Sequence, residues 1–299
     1  MELIDIGANL AHRSFAHDLP GTLDRARQSG VKCIIVTGGN IASSKAAAAL
    51  ASKHRGFLFS TAGVHPHDAG NCTDAEVEAL IRSLAAQEQV VAIGECGLDF
   101  NRDFSPRPQQ ESRFEKQLEL ACELGKPVFL HERDAHKRFV EILADYRGRL
   151  ADAVVHCFTG TAEEAKAYLD LGLYIGITGW ICDDRRGVEL RNVVRRIPLD
   201  RLMIETDAPF LMPRNMPSWR RQKFNEPAFL TYVLQKISDC SGVSHQELAA
   251  RTTSNARKFF DIGWSKVEAA AGSAMRGDTL FVRVEFLETA GPERIGSII

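Results

Sequence analysis

The sequence lacks the features of an exported or membrane-bound protein. No basic leader with an apolar core and a small-residue cleavage site precedes the strand-like residues 3–6. No run approaches the roughly 18 apolar residues that a membrane span needs. The seven cysteines form no C-x-x-C pair, and an odd number of thiols cannot all be paired within one chain. We therefore expect reduced cysteines, a cytoplasmic location and no membrane partner.

The chain also lacks a surplus of charge of either sign. Its 299 residues include 37 Lys and Arg against 39 Asp and Glu, so the formal net charge is −2. This balance argues against binding of nucleic acid through bulk charge, although it leaves room for a local basic patch. Hydrophobic residues make up 44% of the chain, which is enough for a large buried core and argues against a mainly disordered protein.

Eight short apolar runs rich in β-branched residues divide the first two hundred positions. They lie at residues 3–6, 33–36, 57–62, 90–93, 128–130, 154–155, 173–177 and 202–204. Most are continuously apolar, which is typical of parallel strands buried on both faces. Helical stretches separate them, with capping boxes predicted at 73–76, 161–164 and 244–247. Eight alternating strand and helix units favour an α/β fold, a (β/α)8 TIM barrel; an open doubly wound sheet is the alternative.

The barrel is expected to span residues 1–261, because helices near 227–238 and 244–260 complete its outer ring. Residues 262–299 form a C-terminal extension. Within it, 263–276 are rich in Ala, Gly and Ser, and 280–286 alternate apolar and charged residues like one isolated strand. A single strand cannot bury a core alone. We expect a flexible tail on a monomer, and a strand that docks on a partner subunit is the alternative.

Polar and metal-competent side chains lie at or just beyond the ends of the apolar runs. These residues are Asn9, His65, His67, Glu95, His131, His156 and Asp207. Because the C-terminal ends of all strands open on one face of a barrel, the side chains are expected to converge there. The predicted metal ligands are Glu95, His131, His156 and Asp207. Mixed imidazole and carboxylate ligands suit Zn²⁺, Mn²⁺ or another first-row ion, whereas Mg²⁺ prefers oxygen.

Such a site predicts hydrolysis. A bound ion lowers the pKa of its water and stabilises charge on a carbonyl or phosphoryl oxygen. Asp207 is the candidate to accept a proton from the attacking water, and His65 is the candidate to hold an anionic oxygen of the substrate. His67 and Asn9 lie on the same face and are predicted to contact the substrate.

Four other histidines and two cysteines are predicted to lie outside the site. Glu95, taken alone, could also be a capped or paired structural acid, and His131 and His156 could each be buried core histidines. We expect four histidines at the surface because they lie away from the strand ends: His12, His17, His54 and His245. Cys96 and Cys157 are expected in the core, since neighbours along a strand point to opposite faces.

The segment 213–224, which follows Asp207, mixes four cations with two aromatic side chains. Arginine forks bind phosphates and aromatic rings stack on unpaired bases, a combination used for single-stranded nucleic acid. The predicted substrate contacts are Arg214, Arg220 and Arg221, and Arg185 and Arg186 in the loop after the seventh run are within reach of the same face. A solvated loop with paired charges is the alternative interpretation.

Six motifs, in order along the chain, resemble those of the TatD-type deoxyribonucleases in the metal-dependent amidohydrolase superfamily. They are TAGVHPH at 61–67, IGECGLD at 93–99, HERDA at 131–135, HCFTG at 156–160, ETDAP at 205–209 and NEP at 225–227. The resemblance covers residues 1–260 and implies a nuclease that shortens DNA from its 3′ end. Mg²⁺ is the cofactor that it implies, and single-stranded or frayed DNA or RNA ends are the implied substrate. The residues that match the family's metal ligands are Glu95, His131, His156 and Asp207.

The sequence departs from that family at two places. Most relatives carry a His-x-His pair after the first strand, where this chain has Gly7 and Asn9, as in the TatD branch. We therefore expect a single tightly held ion, or that ion together with a second one that is recruited with the substrate. Glu132 follows His131 where relatives usually carry a small or neutral residue. Two functional alternatives stay open: a deacylase acting on D-aminoacyl-tRNA, and a nucleic-acid binding protein without catalysis.

Overall fold

Eight parallel strands form the centre of the computed structural model, which describes residues 1–263. Their bounds are β1 Leu3–Ala8, β2 Val31–Val36, β3 Leu58–Ala62, β4 Val90–Asp99, β5 Val128–Arg133, β6 Ala153–Val155, β7 Tyr174–Ile177 and β8 Leu202–Ile204. Each strand pairs with the next one along the chain. A parallel bridge between Ala8 and Ala208 joins the eighth segment to the first and completes the ring. The predicted (β/α)8 barrel is therefore confirmed.

Helices lie between successive strands. Their bounds are α1 Leu19–Gln28, α2 Ile41–Lys53, α3 Asp74–Ala85, α4 Arg107–Leu124, α5 His136–Arg147, α6 Ala162–Asp170, α7 Val188–Val194, α8 Leu230–Ser241 and α9 His245–Phe260. Thr73 and Thr161 form the predicted capping boxes with the glutamates three residues on. Ser244 accepts the backbone N–H of Glu247 at the start of α9. The local sequence thus sets where these helices begin.

Both faces of the strands are buried, which explains their continuously apolar sequences. Alternate residues, such as Leu58 and Val90, belong to a core shared with the surrounding helices. Their neighbours, such as Phe59 and Val91, belong to a second core inside the ring. Phe259 and its neighbours at the end of α9 pack into this inner core, so α9 closes the barrel at the N-terminal ends of the strands. The opposite end remains open for a site.

The fourth strand is longer than its apolar run, so Glu95 lies within β4 rather than after it. The pairing of β4 with β5 shifts register between Gly94 and Cys96. Such an irregularity changes the direction of the side chain at that point. Gly94 and Gly97 have positive φ angles of 136° and 145°, and a β-carbon at either would collide with the backbone of β5. Glycine is therefore required on both sides of Glu95.

Two further observations concern the ends and the surface of the barrel. Within residues 1–263, no helix combines the length and hydropathy that a membrane crossing requires. Ile262 still packs into the inner core, just past the expected end of the barrel. Residues 264–299 of the predicted tail, with its isolated strand at 280–286, lie outside the described residues, and the tail stays a prediction.

Candidate metal centre

A cavity of about 830 Å³ opens at the C-terminal ends of the strands. Its volume falls in the range of small-ligand sites. The lining includes all seven side chains that were expected to converge: Asn9, His65, His67, Glu95, His131, His156 and Asp207. The barrel thus brings together residues that are up to 198 positions apart in the sequence.

One carboxylate oxygen forms the centre of the cluster. Glu95 Oε1 lies 3.2 Å from His65 Nε2, 3.0 Å from His131 Nδ1 and 2.7 Å from His156 Nε2. His65, Glu95 and His131 each present one ligand atom, and these atoms lie within 4.8 Å of one another. Three imidazoles therefore direct one nitrogen each to the Glu95 carboxylate, which places imidazole and carboxylate donors within reach of one cation.

Two of these histidines present their second ring nitrogen to a buried carboxylate. His131 Nε2 lies 3.5 Å from Asp99 Oδ2, and His156 Nδ1 lies 3.4 Å from Glu205 Oε2. At 3.5 Å the His131 contact is too long for a strong hydrogen bond, and this buried nitrogen has no hydrogen-bond partner among residues 1–263. Histidines that bind metals usually donate their second N–H to a carboxylate, which fixes the tautomer. The donor set and its surroundings therefore fit a metal ion.

The electrostatics of the cluster also suit a cation. Burial raises the pKa of Glu95, but the rings of His156 and His65 outweigh it and hold that pKa well below its usual value. Burial lowers the pKa of His156, yet the carboxylates of Glu95 and Glu205 raise it well above its usual value. These shifts favour an ionised Glu95 beside a positively charged His156, and a bound cation would supply that positive charge instead.

His65 is arranged as a neutral hydrogen-bond donor. Its Nδ1 accepts the backbone N–H of His67 at 3.0 Å, so the ring proton is on Nε2, which faces Glu95. Burial lowers the pKa of His65 to about 4, so the ring is neutral at pH 7. A protonated Nε2 offers no lone pair to a cation. This tautomer favours donation to an anionic oxygen over metal ligation, although the distances alone permit either.

Asp207 enters the cavity from the loop after β8. Its backbone N–H donates to the Gly7 carbonyl at 2.8 Å, and Asn9 Nδ2 donates to Asp207 Oδ1 at 2.9 Å. Burial, partly offset by the charge of His156, raises the pKa of Asp207 to about 7. A carboxylate with a pKa near 7 exchanges protons readily at neutral pH. Asn9 was predicted to contact substrate. Its hydrogen bond to Asp207 shows that it holds this carboxylate in place.

His67 lies beside the cluster and is held by Asp99. Its Nε2 lies 2.6 Å from Asp99 Oδ2, and Asp99 Oδ1 accepts the backbone N–H groups of Asn101 and Arg102. Burial raises the pKa of Asp99, but the nearby rings of His131 and His67 hold that pKa well below its usual range. Asp99 thus links two cavity histidines through one ionised carboxylate. Sequence reasoning missed its role, although it ends the IGECGLD motif.

The segment 213–224 does not line the cavity. The lining includes none of the three predicted substrate arginines, Arg214, Arg220 and Arg221. Arg214 pairs with Asp183 at 2.8 Å and lies over the ring of Trp219 at 5.3 Å. Arg220 lies over the same ring at 5.1 Å. The alternative interpretation, a loop with paired charges, therefore applies to Arg214.

The cations that do line the cavity come from other loops. Arg13 follows β1, Arg102 follows β4 and Arg133 ends β5. None of the three forms a side-chain ion pair within residues 1–263. Their positive charge is therefore free to contact an anion in the cavity.

Two residues expected elsewhere also line the cavity. His12 was expected as an ordinary surface residue, but its ring lies 5.7 Å from that of Phe210, edge to face, in the cavity wall. Cys157 was expected in the core, but it lines the cavity. The strand β6 ends at Val155, so the alternation of side chains along a strand no longer applies at position 157. Cys96 is fully buried in the core, as expected.

Glu132, the second departure from the family pattern, does not join the metal cluster. Its Oε1 accepts the backbone N–H of Ala135 at 2.7 Å, and its Oε2 accepts the hydroxyl of Tyr168 at 2.8 Å. These bonds direct the carboxylate toward the start of α5, where an acid stabilises the helix N-terminus.

The comparisons with known proteins agree with the geometry. The chain matches the family model described as TatD related DNase over residues 4–261. It is 48% identical over 260 residues to the 3′-5′ ssDNA/RNA exonuclease TatD of Pantoea ananatis, a match that covers 87% of this chain and 100% of that protein. The protein of the same name from Erwinia tasmaniensis is 50% identical over 260 residues, with the same coverage.

Solved structures of TatD family proteins are also similar to this chain. The TatD homologue YjjV of Escherichia coli has a TM-score of 0.79 at 28% identity, covering 87% of this chain and 98% of that one. A hydrolase TatD family protein from Entamoeba histolytica has a TM-score of 0.78 at 28% identity, covering 88% and 99%. The similarity in both cases extends over the whole barrel.

Proposed function

Because the chain belongs to the family of TatD-related DNases, we propose that it is a metal-dependent 3′-to-5′ exonuclease of single-stranded or frayed DNA and of RNA ends. The convergence of three imidazoles on Glu95 Oε1, with Asp207 in the same cavity, is the observation that carries this proposal. Relatives named 3′-5′ ssDNA/RNA exonuclease TatD are 48% and 50% identical and are covered over their whole length.

The proposed metal ligands are Glu95, His131, His156 and Asp207. Such a cation supplies a water nucleophile active near neutral pH and stabilises charge on the phosphoryl oxygen. We propose Mg²⁺ as the working ion. Mn²⁺ and Zn²⁺ are the alternatives, because imidazole ligands favour them. One ion is proposed, because Gly7 and Asn9 supply no imidazole where most relatives carry two.

The other residues of the cavity have roles that follow from their hydrogen bonds. Asp207, whose carboxylate is held in the cavity by Asn9, accepts the proton of the attacking water. His65 donates its Nε2–H to an oxygen of the phosphate, since its Nδ1 is already an acceptor. Asn9 orients Asp207, and His67 lines the path of the substrate strand.

The test is cleavage of an oligonucleotide labelled at its 5′ end. With Mg²⁺ or Mn²⁺, the purified protein should yield a ladder that shortens from the 3′ end, and a chelator should stop it. Glu95→Ala and His156→Ala should abolish the ladder, while His17→Ala, at an exposed histidine outside the cavity, should not. Undiminished cleavage by both cavity variants would exclude this site. Parallel assays on D-aminoacyl-tRNA would reveal the deacylase alternative.

The proposed location is the cytoplasm. All seven cysteines are free thiols, which is usual where glutathione and thioredoxin keep proteins reduced. Fractionation of cells that contain the protein would test this.

A further inference from the structure

Two phenylalanines beside the cavity are unusually exposed. Phe104 is 67% exposed and Phe210 is 50% exposed. The other large hydrophobic side chains exposed to this degree within residues 1–263 are Met1 and Val188, so both aromatic members of this group lie at the site. An exposed ring forgoes the free energy of burial, and exposed apolar surface at a functional site often marks a ligand contact.

The two rings belong to loops that follow strands on opposite sides of the barrel. Phe104 follows β4, and its ring packs edge-on against His67 with centroids 4.7 Å apart. Phe210 follows β8, and its backbone N–H donates to the Asp207 carbonyl at 3.0 Å. The strands follow one another in order around the ring, so the fourth and eighth are diametrically opposed. Phe210 lines the cavity, and Phe104 contacts His67, which lines it, so the two rings belong to loops from different sides of the barrel mouth.

Unpaired cations accompany both rings. Arg102 lies two residues before Phe104, and Arg13 follows His12, whose ring contacts Phe210. Both arginines line the cavity and form no ion pair within the described part of the chain. Aromatic faces beside free guanidinium groups suit a ligand with flat rings and phosphates, which describes an unpaired nucleic-acid strand.

We propose that Phe104 and Phe210 stack on unpaired bases at the 3′ end of the substrate and thereby select single strands over duplexes. This inference rests on the proposed nuclease function, for which it supplies the contact that distinguishes substrates. Inside a duplex, neighbouring bases cover both faces of each base. A single strand or frayed end can place a base on a protein ring.

Kinetics on two matched strands test the proposal. One is a 5′-labelled single strand, and the other lacks the bases of its two 3′-terminal nucleotides. Phe104→Ala and Phe210→Ala should each lower kcat/KM on the first strand at least about fivefold, the lower limit for loss of one base–ring stack. On the abasic strand, kcat/KM should stay within about twofold of wild type.

Conservative variants separate stacking from simple apolar contact. Phe104→Trp and Phe210→Trp should retain the wild-type preference for the base-bearing strand, whereas Phe104→Leu and Phe210→Leu should behave like the alanine variants. Val188→Ala, at an exposed apolar residue that does not line the cavity, should change neither rate. Leucine variants as active as the tryptophan variants, or alanine variants that match wild type on both strands, would overturn the stacking role.

A binding measurement distinguishes failure of this proposal from failure of the nuclease function. A strand with 2-aminopurine as its 3′-terminal base, mixed with protein and chelator, should lose fluorescence when that base stacks. The Phe104→Ala, Phe210→Ala double variant should lose the quenching. Quenching by a wild-type protein that cuts no strand would reject the nuclease and keep the stacking site. Cleavage by wild type without quenching would reject the stacking site alone.

Discussion

The carboxylate of Glu205 occupies the space beside the backbone of Gly7. A β-carbon at position 7 would overlap Glu205 Oε2 and would also lie 3.1 Å from the ring of Phe129. Glu205 is fully buried, its Oε1 accepts the backbone N–H of Cys157, and its Oε2 faces His156 Nδ1 at 3.4 Å. The absent side chain at position 7 thus leaves room for an acid that orients a proposed metal ligand.

Glu205→Gln should weaken metal binding without removing a ligand. The glutamine oxygen can still accept from Cys157, but its amide would then place N–H groups against the protonated His156 Nδ1. We expect a 10- to 100-fold loss of Mn²⁺ affinity, the usual effect of removing such an outer partner. Titration calorimetry with Mn²⁺ would measure it.

Gly7→Ala should reproduce part of that loss, because a methyl group would displace the same carboxylate from His156. Gly148→Ala is the matched control, since a β-carbon there meets no atom within 4 Å. Both variants should fold, as circular dichroism would show. If Gly7→Ala bound Mn²⁺ as tightly as wild type, Glu205 would not depend on the space that Gly7 provides.

The convergence of the candidate ligands in one cavity could be predicted because barrel topology needs little detail. A residue near the end of a parallel strand faces the open end of the ring whichever neighbours it has. Glu95 and His131 illustrate this, because both lie inside strands that continue past them, and both still reach the centre. An error of a few residues in a strand boundary therefore did not misplace them.

The partners of the ligands could not be predicted in the same way. Glu205 and Gly7 meet across the join of β8 and β1, and nothing local in either segment reveals the fit. The charge on segment 213–224 predicted a substrate contact, but Arg214 pairs with Asp183, which lies in a different loop. Arg102 was not predicted to contact substrate, although it lines the cavity. The sequence alone does not reveal that an arginine has no acidic partner.

The pH dependence of metal binding should depend on Asn9. Burial raises the pKa of Asp207 to about 7, while the hydrogen bond from Asn9 lowers it. Metal ligation requires the deprotonated carboxylate, so Mn²⁺ affinity should rise with pH between 6 and 8. Asn9→Ala removes the bond, so the rise should occur at higher pH. Electron paramagnetic resonance of free Mn²⁺ would follow it, and an unchanged profile would mean that Asn9 does not act on Asp207.

The salt dependence of strand binding should identify the arginines that contact phosphates. Arg102 lines the cavity, whereas Arg220 lies outside it against Trp219. Arg102→Ala should reduce the slope of log affinity against log salt by about 0.7, the value for one phosphate contact on a single strand. Arg220→Ala should leave the slope unchanged.

Fluorescence anisotropy of a labelled oligonucleotide, in chelator to prevent cleavage, would measure both slopes. If Arg220→Ala reduced the slope and Arg102→Ala did not, the phosphate contact would lie in segment 213–224. Equal slopes for both variants and wild type would mean that neither arginine contacts a phosphate.

Asp5 should make the stability of the barrel depend on pH. It lies fully buried in β1 and accepts hydrogen bonds from the Gly7 N–H and from the N–H and hydroxyl of Thr206. Burial outweighs these bonds and raises the pKa of Asp5 to about 8, against about 3.9 for an unfolded aspartate. Folding therefore takes up a proton between these values. The contribution of Asp5 is greatest below about pH 4 and declines as the pH rises to about 8.

Asp5→Asn should remove this dependence, because the amide does not ionise, and its oxygen can still accept the Gly7 and Thr206 N–H groups. Between pH 6 and pH 8, the free energy of unfolding should fall by about 2 kcal/mol less in Asp5→Asn than in wild type. Urea denaturation at each pH would measure this, with Asp145→Asn, at an exposed acid on α5, as the control. Parallel curves for wild type and Asp5→Asn would show that Asp5 does not change its protonation on folding in this range, and its burial would then have to be offset by the Thr206 and Gly7 bonds alone.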